Sequence, residues 1–222
     1  MNVQYLPETE TQARPRPRIE SLSDLIFGLA LSIGAISLLS NINSINSTGV
    51  LESDITVFGF SFLILITVWM RYTRIMSALP LENRWGISLN TALLFTVSLE
   101  PFLFNVLELD TKLAPEISSQ FYALDLGVMM AILGSFALVL ADEERKLIPK
   151  DMIKEFRIES ITMFVAAFFF LISISPTFWV LGPSHFYWRY YLWVIPFALS
   201  FLQKRTIGII GKIRKHRGEV NK

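Results

Sequence analysis

The chain has 222 residues, 52% of them hydrophobic, and only 18% are charged where a soluble domain carries about 25%. It has no cysteine, which excludes a disulfide framework, a thiolate nucleophile and a cysteine metal site. The formal net charge of +1 identifies no partner, no nucleic-acid partner is expected, and the two histidines, His185 and His216, lie too far apart to suggest a metal centre.

The distribution of charge is the informative property. Long stretches carry almost none, which selects the integral membrane class. Residues 1–18 are polar and contain ARPRPR; they are expected to form a disordered cytoplasmic tail without a cleaved signal peptide. A bilayer core of about 30 Å needs about 20 apolar residues in a helix. The first such segment is Ser23–Ser40. Asp24 opens it, either as an N-cap carboxylate beside Ser21 and Ser23 or as part of an interhelical network, with Arg18 and Glu20 nearby. Leu29, Ile33 and Ile36 recur at i, i+4 and i+7 and share a face. Gly28, Ala30, Ser32, Gly34 and Ala35 lie between them, and small residues allow close helix approach. Periodicity alone reads this as ordinary bundle packing.

Ile55–Met70 and Ile87–Leu107 are the second and third segments. The third holds Glu100, directly before Pro101 and roughly two-thirds of the way across. Phe121–Ala141 follows, with Asp125 near its start. The two acids read either as solvated or paired interfacial carboxylates or as a negative site drawing cations to an outer mouth. Ile161–Leu181 is the fifth segment. Tyr187–Leu202 is the sixth; Tyr187, Trp188, Tyr190 and Tyr191 open it and suit a membrane–water interface. The runs are continuously apolar rather than alternating, so helices are expected and not a barrel. The expected organisation is a tail over 1–18, six transmembrane helices within 19–204 and a basic cytoplasmic tail over 205–222. That last tail, ending GKIRKHRGEVNK, reads as a solvated anchor or as a contact to anionic lipid.

Orientation follows from Lys and Arg. The N-terminal tail, the second loop, the fourth loop and the C-terminal tail hold three, three, five and seven, which is 18 of the 20 in the chain. The intervening loops hold only Lys112 and Arg189. By the positive-inside rule, both termini are expected in the cytoplasm.

Three motifs occur in order. RIESLSDLIFGLALSIGAI resembles the first-helix signature of the transmembrane protein 175 family of potassium channels, R-x-x-x-F-S-D before an apolar helix. Arg18, Ser23 and Asp24 match it and Leu22 replaces Phe. FSFLILITVW ends at Trp69, where the family has W-x-x-H; here Tyr72 takes the His position. NTALLFTVSLEPF matches an Asn, a Leu/Phe-rich run and S-L-x-P-F through Asn90, Leu93, Leu94, Phe95, Ser98, Leu99, Pro101 and Phe102. FYALDLGVMMAI in the fourth segment matches more weakly.

The resemblance implies an all-α, six-helix subunit, and a homotetramer in which the first helices line a central pore. Carried across by spacing from the Ser-Asp pair, the apolar constriction falls on Leu29, Ile33 and Ile36, and Ser32 takes the position of a hydroxyl that aids potassium preference. Arg18, Ser23, Asp24, Trp69 and Asn90 are expected to hold the pore helix; with His replaced at position 72, Trp69 and Asn90 are the expected partners of the Ser-Asp pair. No T-V-G-Y-G filter occurs, so selectivity is expected to be modest. The expected function is passive, potassium-preferring conduction in the cell membrane. The expected partners are further copies of the chain, potassium ions and the bilayer, with no cofactor and no metal beyond transported potassium. A proton-coupled secondary transporter using Glu100 and Asp125 is the alternative, although no pair of interrupted helices supports it. An enzyme would need a convergent nucleophile or metal cluster, and none is visible. A non-conducting scaffold is compatible with the same sequence.

Overall fold

The computed structural model describes residues 16–40, 48–79, 84–108, 115–180, 188–189, 191–196 and 198. Every regular element among these is helical: α1 (Arg16–Ser40), α2 (Thr48–Ala78), α3 (Arg84–Glu108), α4 (Pro115–Leu140), α5 (Lys150–Ile172) and the short α6 (Thr177–Val180). Residues 188–189 and 191–196 are also helical. Helices satisfy their own backbone groups, which an apolar surrounding demands. Proline sets several boundaries: Pro115 opens α4, Pro149 precedes α5, and Pro176 follows the turn that ends it.

Among the described residues, four helices are long and apolar enough to cross a membrane, over Ile19–Ile36, Phe58–Ala78, Arg84–Leu107 and Glu116–Leu140. These correspond to the first four expected segments. The helices themselves run further than the apolar windows. α1 starts at Arg16 rather than Ser23, and α2 extends from Thr48 to Ala78 rather than from Ile55 to Met70. The fifth segment is shifted most: the helix is Lys150–Ile172, not Ile161–Leu181. Its charged first half stays helical because its acids pair with arginines of α2. Arg71 lies 3.3 Å from Glu159, and Arg74 lies 2.9 Å from Glu155 and 3.4 Å from Glu159. The sixth segment is described only at 188–189, 191–196 and 198. The expected N-terminal tail through residue 15, the loops 41–47 and 109–114, both histidines and the C-terminal tail lie outside the described residues.

α4 is the central element. Two-thirds of its apolar window is buried, against 22% for α1. α4 packs on α5 and α3, α3 packs on α1, and α2 bridges α1 and α4. The α4–α5 contact is close because of glycine. A Cβ on Gly134 would meet Met163 Cβ at 3.2 Å, and Ser160 donates to the Gly134 carbonyl at 2.9 Å. The core runs through Ile64, Val68, Leu93, Val97, Leu126, Met129, Leu133 and Phe170, all fully buried. α1 therefore lies at one edge of the bundle with a broad face uncovered.

Candidate functional site

α1 has two faces. Ser23, Phe27, Ala30 and Gly34 are buried, a spacing of three to four residues that forms one stripe. Phe27 packs on Tyr72 with ring centroids 5.5 Å apart, and Gly34 lets the Phe58 ring approach to within 3.4 Å of where a Cβ would stand. The other face presents Leu22, Leu25, Leu29, Ile33 and Ile36, each more than half exposed. The expected Leu29, Ile33 and Ile36 are thus on one side, away from the α2 and α3 contacts. Ser32 shares the exposed side and donates back to the Gly28 carbonyl at 2.8 Å, which leaves the oxygen lone pairs outward.

Two polar contacts fix the N-terminal half of α1. The Tyr72 hydroxyl lies 2.7 Å from Ser23 Oγ and 2.8 Å from Asn90 Oδ1. Ser23 already donates to the Ile19 carbonyl at 2.9 Å. Tyr72 therefore donates to Ser23 and accepts from the Asn90 amide when its NH₂ group faces the phenol. Trp69, one turn earlier on α2, donates from Nε1 to Asp24 Oδ1 at 2.9 Å. Four of the five expected supporting residues, Ser23, Asp24, Trp69 and Asn90, are brought together here. Arg18 lies in the first turns of α1, and its side chain is outside the described residues.

Two corrections follow. Asp24 and Ser23 are not N-caps, since α1 begins at Arg16, two turns earlier. Tyr72 is the centre of the network, not a lost partner. The sequence signal was available: a phenol at the His position keeps both a donor and an acceptor.

Glu100 and Asp125 do not form an exposed mouth. Glu100 is 0% exposed and Asp125 is 5% exposed. Ser61 of α2 donates to Glu100 Oε1 at 2.7 Å, and Tyr122 of α4 donates to the same oxygen at 3.1 Å. Tyr122 is in turn covered by Phe104 at 5.9 Å and Trp193 at 5.4 Å between centroids. The two polar centres lie at opposite ends of the bundle. The first joins the start of α1, the end of α2 and the start of α3. The second joins the early part of α2, the later part of α3 and the start of α4. The Arg71–Glu159 and Arg74–Glu155 pairs bring the end of α2 to the start of α5, so the basic second and fourth loops share one end. Among the described residues, no group of three or more His, Cys, Asp or Glu is placed to hold a metal ion.

Residues 18–101 match the model of a family described as endosomal/lysosomal potassium channel TMEM175. Through α1, α2 and most of α3, the sequence is therefore similar to TMEM175. The TMEM175 match contains all of the first polar centre, and also Ser61 and Glu100 of the second. It ends at Pro101, before the weaker motif of α4. TMEM175 is a channel family rather than an enzyme family. With four apolar helices of membrane length, the chain is a multi-pass membrane protein. No curated protein matches. Among solved structures, the chain is similar to the crystal structure of a lysosomal potassium-selective channel TMEM175 homolog from Chamaesiphon minutus. The TM-score is 0.57 at 18% identity, covering 85% of this chain and 97% of that one. At this identity the likeness is one of fold, and it extends the TMEM175 architecture beyond the residues matched in sequence.

Proposed function

We propose that the chain is the subunit of a potassium-preferring cation channel, in which α1 of four copies lines a central pore. The observation that carries this reading is the uncovered apolar face of α1. Leu29, Ile33 and Ile36 are at least 52% exposed in a helix whose other face is anchored by two polar contacts. Repeated around an axis, that face makes stacked apolar rings. Such rings close a pore by dewetting and admit ions on slight widening. Ser32 adds a hydroxyl at ring height that favours potassium. Ser23, Asp24, Trp69 and Asn90, with Tyr72 and with Arg18 at the helix start, hold the pore helix in register. The TMEM175 match over residues 18–101 and the fold shared with the Chamaesiphon homolog, described as potassium-selective, support the same reading.

The subunit has six membrane helices and lies in the cell membrane, with residues 1–18 and 205–222 as cytoplasmic tails. The positive-inside count and the shared end of the second and fourth loops support that orientation. The test is single-channel recording of purified protein in a planar bilayer with potassium and sodium on opposite sides. Discrete steps with a reversal potential displaced towards potassium are expected, and Leu29→Asn should increase leak or relax selectivity. Saturable flux that requires a proton gradient, and that Glu100→Gln or Asp125→Asn abolishes, would replace the channel with a transporter.

A further inference from the structure

We infer that Glu100 and Asp125 bind one monovalent metal cation inside each subunit, away from the exposed face of α1. The pair presents an incomplete set of hydrogen-bonded oxygens. Glu100 Oε1 accepts from Ser61 and Tyr122, but Oε2, equally buried, has no hydrogen-bond partner. Asp125 follows Tyr122 by three residues on α4 and shares its face. It is 5% exposed, and its Oδ2 has no hydrogen-bond partner either. Asp125 lies within electrostatic reach of Glu100, and the two orphan oxygens do not bond each other. Two orphan oxygens of like sign therefore occupy one buried neighbourhood, an arrangement that a bare apolar interior disfavours strongly.

The surroundings supply further oxygens and fix the charge. Pro101 has no N–H, so the Val97 carbonyl lacks its ordinary helical donor, and Val97 lies one turn before Glu100 on the same side of α3. Ser61 Oγ and Tyr122 Oη keep lone pairs after donating to Glu100. Carboxylate, hydroxyl and carbonyl oxygens together make a hard-cation donor set. The set holds two carboxyls and otherwise neutral oxygens. With one proton shared between the carboxyls, a single monovalent ion leaves the buried site neutral. This inference does not depend on conduction through α1.

The experiment is thermal unfolding of the purified full chain in lipid nanodiscs, in potassium, sodium or choline chloride at equal ionic strength and constant pH. A saturable rise in melting temperature with potassium or sodium over choline is expected. Comparison of the two salts shows whether the bound ion is the conducted one. Asp125→Asn should abolish the rise while melting no lower than the parent in choline, because the amide removes one of the two like charges. Ser61→Ala removes a neutral oxygen and should weaken half-saturation roughly five- to tenfold. Equal melting in all three salts, or a rise that survives Asp125→Asn, would overturn the inference. So would a rise obtained in choline by acidification alone, which would mean that a proton occupies the pair.

Discussion

The two polar centres of the bundle solve the same problem with different chemistry. Around Tyr72, a phenol, a serine and an amide satisfy one another, and the nearby carboxylate of Asp24 stays exposed and takes a donor from Trp69. Around Glu100, a carboxylate is sealed in the interior and held by two hydroxyls. Neutral groups in an apolar surrounding are worth little each, since the unfolded chain in a membrane also finds partners. A buried charge raises the stakes, because every donor it loses leaves it uncompensated. The first centre positions a helix; the second buries a carboxyl group between α2, α3 and α4.

This contrast can be broken by measurement. The largest stability effect is expected at the charged centre: Tyr122→Phe should lower unfolding free energy by about 2 kcal/mol, the cost of a hydrogen bond to a charged group. Tyr72→Phe should cost about 0.6 kcal/mol, the average for interhelical side-chain hydrogen bonds. An equal or greater loss at Tyr72 would erase the distinction between the centres. Tyr72→Phe should nevertheless disturb conduction more than Tyr122→Phe, because only Tyr72 touches α1; single-channel recording of the two variants decides this. A double-mutant cycle between Ser23→Ala and Tyr72→Phe should give a coupling of about 0.5 kcal/mol, with additivity expected if the two hydroxyls act apart. The smallest effect is expected for Trp69→Phe, within about 0.5 kcal/mol, since water can replace the indole at the exposed Asp24.

How much of this was legible in the sequence differs between the same two regions. The first four membrane segments were visible because hydropathy reads what the bilayer requires. Helix ends were not, because Arg71, Arg74, Glu155 and Glu159 look like loop residues until their pairing across 81 to 88 positions is known. Ser23, Asp24, Trp69 and Asn90 were legible as a motif. Tyr72 reads as a lost partner in the sequence because it replaces His, although phenol and imidazole both donate and accept. The surroundings of Glu100 had no sequence signal. Ser61 and Tyr122 stand 39 and 22 residues away, and nothing local distinguishes a carboxylate held by hydroxyls from one facing water.

The pairing of Arg71 with Glu159 also sets an order of events during synthesis. Eighty-eight residues separate them, so α2 and α3, and then α4, leave the ribosome before the carboxylate of α5 exists. Through that interval the end of α2 must keep its two arginines in contact with water or lipid headgroups. The nascent bundle is consequently open on that side until α5 docks against Gly134 of α4 and closes it. Closure of the subunit on that side is then a late event in translation, which comes after the first four helices have already been made.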